Sequence, residues 1–387
     1  MVSTVSMSLV DAWREGVRRE LGVAVALRHE VHERPQLSGD ESDTADRVTA
    51  AIGRGPGRSV ARTGRLVEVA GGPGPGAVAL RTELDGLPLV ERTEAAWASR
   101  NGLMHACGHD VHMAAVVAVA RAAASLELPV PLLALLQPRE EGADSGARDV
   151  VAEAALADVS AVVAAHVQPR LPAGVVGVTP GAVNAAIDEF TVTVRGQGGH
   201  SGYPHTVTDS VLALASIVVS LQQLGARRVD PVVGVACMVN QLRAGTANNV
   251  VPESAVGSGT VRTMREEDRR QARTALAEIA SHVAEAHGCT ADVRIAEGGP
   301  SLVNDEHLAT RAFLLLEEMG HPVTAEFRSF GSDDFAHYCA GTRGLMMFVG
   351  TGDAGGGLHD ATFLPADDYV ATVADALVAG YCAAVSG

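Results

Sequence analysis

Residues 187–194 read Ile187-Asp188-Glu189-Phe190-Thr191-Val192-Thr193-Val194, and their alternation from Phe190 onward is that of a half-buried strand. Side chains at period two face opposite sides of a sheet, so this stretch covers a single layer. Toward the C-terminus come a helical pattern over 209–224, strands over 232–240 and 255–262, a charged helix over 266–287 and a last strand over 291–296. That order, βαββαβ, is the ferredoxin-like unit. Gly298-Gly299-Pro300 punctuates its end.

Upstream of Ala185 the texture differs. Residues 78–81, 132–136 and 161–165 are short apolar strands, interleaved with helical patterns over 11–32 and 111–125. Strands apolar on both sides belong inside a largely parallel sheet flanked by helices. The segment after 298 returns to that texture and ends in a helix from about residue 367. The sequence thus predicts one α/β domain, 1–184 and 298–387, interrupted by an inserted α+β domain over 185–297.

Composition narrows the function. Of 387 residues, 47% are hydrophobic and 20% charged, which excludes a disordered chain. Acids outnumber bases 46 to 30, for a net charge of −16, so no basic stripe is available for nucleic acid. Every base is Arg, which excludes Schiff-base and P-loop lysine chemistry. Cys107, Cys237, Cys289, Cys339 and Cys382 are scattered and odd in number, so the expectation is no disulfide framework and a reducing cytoplasm. Residues 1–10 lack the basic start of a signal peptide. The apolar run 114–136 is broken by Arg121, Glu127, Pro129 and Pro131, too interrupted to span a bilayer.

Polar groups collect at strand ends. His105-Ala106-Cys107-Gly108-His109-Asp110 precedes the Ala-rich helix, Glu140-Glu141 follows the strand 132–136, His166 follows 161–165, and His359 follows Gly355-Gly356-Gly357. Ligands of open parallel sheets bind outside the carboxyl ends of strands. Singly, each residue reads as loop or core. Together, one thiol, three imidazoles and a carboxylate suit a borderline divalent transition metal rather than Ca²⁺ or Mg²⁺. His105, His112, His205 and Cys339 are read as packing residues.

The string Arg81-Thr-Glu83-Leu-Asp85-Gly-Leu-Pro88, followed by Met104-His-Ala-Cys107-Gly-His109-Asp110-Val-His112, resembles the M20 metallopeptidase family. Within it the resemblance is to the amidohydrolase branch: hippurate hydrolases, N-acyl-amino-acid deacetylases and auxin-conjugate hydrolases. Gln137-Pro-Arg-Glu140-Glu141-Gly142, Gly198-Gly-His200-Ser-Gly-Tyr-Pro204, Asn249-Val-Val-Pro252, Gly259-Thr-Val-Arg262, Gly331-Ser-Asp333-Asp334-Phe335 and Leu358-His359 agree in order.

The resemblance implies a catalytic α/β domain with a lid and dimerisation insert. It implies two divalent cations (Mn²⁺, Zn²⁺, Co²⁺ or Ni²⁺) on Cys107, His109, Glu141, His166 and His359, with Cys107 bridging. It further implies Glu140 as general base, Asp85 as the acid orienting a ligand histidine, and His200 as oxyanion donor, reaching a partner subunit's site. Asn249 and Arg262 are expected to hold the substrate's carboxylate or backbone groups. The expected reaction is hydrolysis of an N-acyl amino acid by a homodimer or higher oligomer, with no membrane partner. A dipeptidase or carboxypeptidase of the same family, or a non-catalytic binding protein, are the alternatives. Three positions depart from the family pattern: Glu83 replaces an Asp, Asp333 replaces a Glu, and Gln36 follows Pro35 where Glu is usual.

Overall fold

The alternating stretch forms the strand Ala186–Arg195, with Phe190, Val192 and Val194 buried between exposed or half-exposed neighbours. In the computed structural model, which describes residues 7–142 and 144–386, this strand sits inside a four-stranded antiparallel sheet. Its order is Val235–Ala244, Ser254–Thr263, Ala186–Arg195, Thr290–Glu297, with Phe190 opposite both Gly259 and Ile295. Helices Ser210–Ser220 and Glu266–Ala286 bury Leu214, Ile217, Leu276 and Ile279 against Phe190 and Val192. The unit is the expected βαββαβ.

One boundary moved. The strand expected over 232–240 begins at Val235 and continues to Ala244. Residues 230–234 instead form a turn in which Asp230 accepts from the N–H groups of Val233 and Gly234. Gly234 sits there at φ +81°, a conformation glycine adopts without steric cost. The sheet is tied to its helix by charge. Buried Asp188 receives Arg269 at 2.6 and 3.0 Å and Arg273 at 2.6 Å.

The larger sheet has eight strands, ordered Arg58–Val60, Gly64–Ala70, Leu132–Gln137, Ala77–Glu83, Val159–Gln168, Arg343–Gly350, Val176–Gly177, Val323–Thr324. Its four central strands are parallel, and antiparallel pairs lie toward the edges. Helix His109–Ala123 is buried along all its length except Arg121, which explains its Ala/Val composition without a polar face. Trp13 of helix Met7–Glu33 donates its indole N–H to the Val119 carbonyl at 3.0 Å and meets the Tyr381 ring edge-on.

Strand Ala77–Glu83 has Leu132–Gln137 on one side and Val159–Gln168 on the other. The chain visits one neighbour and then the other, so this is the topological switch point, where a crevice opens at carboxyl ends. Pairing toward Leu132–Gln137 continues to Glu83↔Gln137, whereas pairing toward Val159–Gln168 stops at Leu80↔Val163. The second pair therefore parts just where the site residues begin.

By internal contacts the chain divides into two units. One comprises residues up to Gly181 with Val303–Phe327 and Asp334 onward; the other comprises Ala182–Leu302 with Arg328–Asp333. No helix among the described residues is long and apolar enough to cross a membrane. The signal-peptide reading of residues 1–10 falls partly on 1–6, which lie outside the described residues.

Candidate metal centre

Gly108 builds the first corner of the site. Its φ is +83°, and a Cβ there would lie 2.4 Å from Val167 Cγ2. Only glycine meets both demands, and the resulting turn lets Cys107 and His109 project together at the start of helix His109–Ala123. His109 donates its Nδ1–H to the Asp85 carbonyl at 2.8 Å. Its Nε2 is left buried with no hydrogen-bond partner, 3.8 Å from Glu140 Oε2.

His166, near the end of strand Val159–Gln168, donates Nδ1–H to the Val167 carbonyl at 2.6 Å, and its Nε2 lies 3.4 Å from Cys107 Sγ. His359 comes from a loop with φ +66°, rare for a residue bearing a Cβ. Its N–H donates to Ala106 at 2.8 Å, and its Nε2 lies 3.2 Å from Glu141 Oε1.

These contacts assemble the donors in overlapping groups. Ligand atoms of Cys107, His109 and His166 lie within 4.8 Å of one another, as do those of Cys107, Glu141 and His359, and those of His109, Glu140 and Glu141. Cys107 is common to the first two groups. Within these groups the buried His109 Nε2 lacks a hydrogen-bond partner. Buried polar atoms are nearly always paired, so this pattern needs a partner of another kind. A divalent cation fits: the set offers imidazole nitrogens, a carboxylate and a thiol.

The electrostatics agree. Burial, reinforced by Glu141, Glu140 and Glu83, pushes the Cys107 thiol well above its ordinary pKa. Burial works against ionised Glu141, but His359 and His109 hold its carboxyl low. Burial pushes His166 down to about 3, keeping it neutral and able to ligate. The cluster is electron-rich and short of positive charge.

Asp85 sits beneath this cluster. Its carboxylate accepts the N–H of Glu140 at 3.2 Å, the N–H of Glu141 at 2.9 Å and the Ser38 hydroxyl at 2.6 Å. Its Oδ1 is 3.9 Å from His109 Nδ1, so the histidine is oriented by the main-chain carbonyl and the carboxylate holds the glutamate loop. The sequence reading had the residue but not this division of labour.

The bonding of other neighbours is not readable from the sequence. Asp110 is buried against Arg28 at 2.9 Å and His32 at 3.1 Å. Asp334 accepts from Arg81 at 3.0 Å, Gln137 at 2.8 Å and Ser145 at 2.7 Å. His112, read as a packing residue, bonds Glu83 Oε2 at 3.0 Å. Two-residue separation of Arg81 and Glu83 on a strand was the one available signal, since it places both on the same face.

The remaining named residues lie in the second unit. His200 belongs to the two-residue strand Gly199–His200, paired with Val250–Val251. Its Nδ1 accepts the Gly202 N–H at 3.0 Å, so the ring proton sits on Nε2 and points outward as a donor. Asn249 is joined to the same corner, its carbonyl accepting the Ser201 N–H at 3.1 Å. Arg262, in strand Ser254–Thr263, donates to the Phe330 carbonyl at 2.7 Å. Nothing brings Arg262 into hydrogen-bonding contact with His200 or Asn249 among the described residues. Asp333 also falls in this second unit.

A mostly parallel α/β sheet with a thiol, imidazole and carboxylate donor set at its switch point defines a metal-binding α/β protein. Residues 79–378 match peptidase family M20/M25/M40, and the chain belongs to that family. It is 31% identical over 357 residues to the N-acetylcysteine deacetylase of Bacillus subtilis, covering 90% of this chain and 93% of that one. It is 31% identical over 355 residues to the N-acetyldiaminopimelate deacetylase of Enterococcus faecalis, covering 89% and 93%. Among solved structures it resembles the Bacillus subtilis YxeP protein, described as a dinuclear metal-binding M20 peptidase, with a TM-score of 0.82, 27% identity, and coverage of 95% and 98%.

Proposed function

We propose that this chain is a metal-dependent amidohydrolase that cleaves an N-acyl amino acid into a carboxylate and a free amino acid. The carrying observation is the pair of donor groups sharing Cys107, with Glu140 in contact range of His109. Deacetylase names among full-length relatives support the substrate class. Cys107, His109, Glu141, His166 and His359 would hold two divalent cations, with Mn²⁺, Zn²⁺, Co²⁺ and Ni²⁺ the ions to test. When bound, the cations supply Lewis-acid chemistry, acidifying water and polarising the amide carbonyl.

The chain's own residues do the rest. Glu140 takes the proton from the attacking water and returns it to the leaving nitrogen, a contribution of roughly 10²–10⁴-fold. Asp85 fixes the Glu140 main chain, so the carboxylate need not search for its position. His200 offers Nε2–H to the developing oxyanion, and the Gly202 N–H locks that tautomer. Asn249 and Arg262 bind the carboxylate end, where a planar guanidinium can hold both oxygens.

A homodimer completes the reading. Strand Val235–Ala244 is an edge strand of the second unit, with exposed Met238 and Leu242, and helix Ser210–Ser220 exposes Leu212 and Val219. An uncovered apolar edge favours pairing with a second copy. A cytoplasmic location is proposed from the five scattered, odd-numbered cysteines of the sequence.

The test is a panel of N-acetyl and N-benzoyl amino acids against dipeptides, with each of the four metals. Turnover confined to acyl-amino acids is expected. Preference for dipeptides would move the chain to the peptidase alternative, and no turnover of either with any metal would overturn the hydrolase reading.

A further inference from the structure

His112 lies one turn into helix His109–Ala123 and is buried, yet both its ring nitrogens are engaged. Nε2 accepts the Val167 N–H at 2.9 Å, and Nδ1 lies 3.0 Å from Glu83 Oε2. An imidazole nitrogen that accepts an N–H carries no proton, so the proton is on Nδ1 and goes to Glu83. Glu83 is in turn held by the buried Arg81 guanidinium, which also reaches Asp334 at 3.0 Å.

This hydrogen-bond series runs from Glu83 through His112 to the Val167 N–H. Strand Val159–Gln168 loses its partner on the Ala77–Glu83 side after Val163. Val167 lies beyond that point, and its N–H is satisfied by His112 instead of a neighbouring strand. The same residue's carbonyl accepts Nδ1–H of His166 at 2.6 Å. One residue thus carries both bonds: His112 fixes its amide, and its carbonyl aims the His166 ring, whose Nε2 faces Cys107.

Resting on the metal-centre reading above, we infer that Glu83 and His112 are a positioning pair that sets the aim of His166 through Val167, without touching cation or substrate. The Glu83, His112 and His166 donor atoms also lie within 4.8 Å of one another, which raises the question of a separate ion site. The bonds answer it, because neither nitrogen of His112 is free. Glu83 is one methylene longer than the Asp the family pattern carries, and that length is used in reaching His112 from the strand.

The experiment is Co²⁺ titration of metal-free full-length protein, followed by absorption, in wild type, His112→Ala and Glu83→Gln. Wild type should bind two ions with a thiolate-to-cobalt band. Loss of an outer partner of a ligand histidine costs about 10–100-fold in metal affinity. His112→Ala should therefore weaken one of the two ions by that factor and shift its visible bands. Glu83→Gln, which keeps an acceptor for Nδ1–H but removes the charge, should weaken the same ion less. Should His112→Ala fail to fold, Glu83→Gln alone decides. Variants whose melting temperature drops while both affinities and spectra stay at wild-type values would overturn the inference and leave only a structural role. A wild type that binds no Co²⁺ would instead overturn the metal-centre reading.

Discussion

Asp85 meets His109 through its main-chain carbonyl, at 2.8 Å from Nδ1, and not through its side chain. The freed carboxylate spans the N–H groups of Glu140 and Glu141, so one residue aligns a candidate ligand histidine and a candidate base loop at once. Asp85→Asn keeps the main-chain carbonyl and replaces one acceptor oxygen by an amide NH2, a donor, facing an N–H. The expected result is a fall in kcat of about 10–100-fold with Co²⁺ still bound at the His109 position. Loss of that ion along with activity would show that the side chain orients His109 after all.

Thiolate ligation by Cys107, as proposed, would give metal uptake a pH signature. The thiol is pushed up by burial and three carboxylates, so at neutral pH it holds its proton until a cation displaces it. Affinity should rise about tenfold per pH unit for each proton released. Calorimetric titration with Zn²⁺ in buffers of different ionisation enthalpy counts those protons. Cys107→Ala should release one fewer, and an unchanged count would contradict thiolate ligation.

His32 sets a different pH dependence. Burial alone would lower its pKa, but Asp110 and Glu91 together raise it from 6.5 to about 9. A raised histidine stabilises the fold fully below its unfolded pKa and loses that contribution as pH climbs through the folded value. Stability should therefore decline between pH 6.5 and about 9, by on the order of 3 kcal/mol at most. Urea unfolding across this window in wild type and His32→Asn checks it, the variant being less stable at pH 6.5 and showing a flatter profile. Parallel profiles would remove His32 as the cause.

Inactive variants can test whether His200 works across a dimer. Glu140→Gln and His200→Ala chains each carry one defect. If His200 serves the partner's site, a hybrid dimer has one intact site, and random re-pairing should restore roughly a quarter of wild-type turnover. Mixed chains that stay as inactive as either parent would place His200 in its own subunit's reaction or outside the reaction.

Much of this was legible in the sequence for physical reasons. Period two over 187–194 and unbroken apolar runs at 132–136 and 161–165 reflect how each strand is buried, and the strands formed there. The donor residues were visible because His, Cys and Glu cluster in a few short segments: beside Gly108, after the strand 132–136, at the end of 161–165 and after Gly355-Gly356-Gly357. What stayed hidden depends on direction and not on residue type. No pattern distinguishes a carbonyl from a carboxylate at Asp85. Nor does it show that strand Val159–Gln168 parts from its neighbour after Val163, which is what gives His112 its task. The strand over 232–240 shifted because a turn at Asp230–Gly234 takes the first residues of an apolar run.

Glu140 is proposed to carry the proton in a metal-dependent amide hydrolysis. The most direct test is the turnover of an N-acetyl amino acid by metal-loaded Glu140→Gln, beside wild type at equal metal content. The expected result is a loss of roughly 10²–10⁴-fold in kcat with both ions retained. Turnover at the wild-type rate would contradict it.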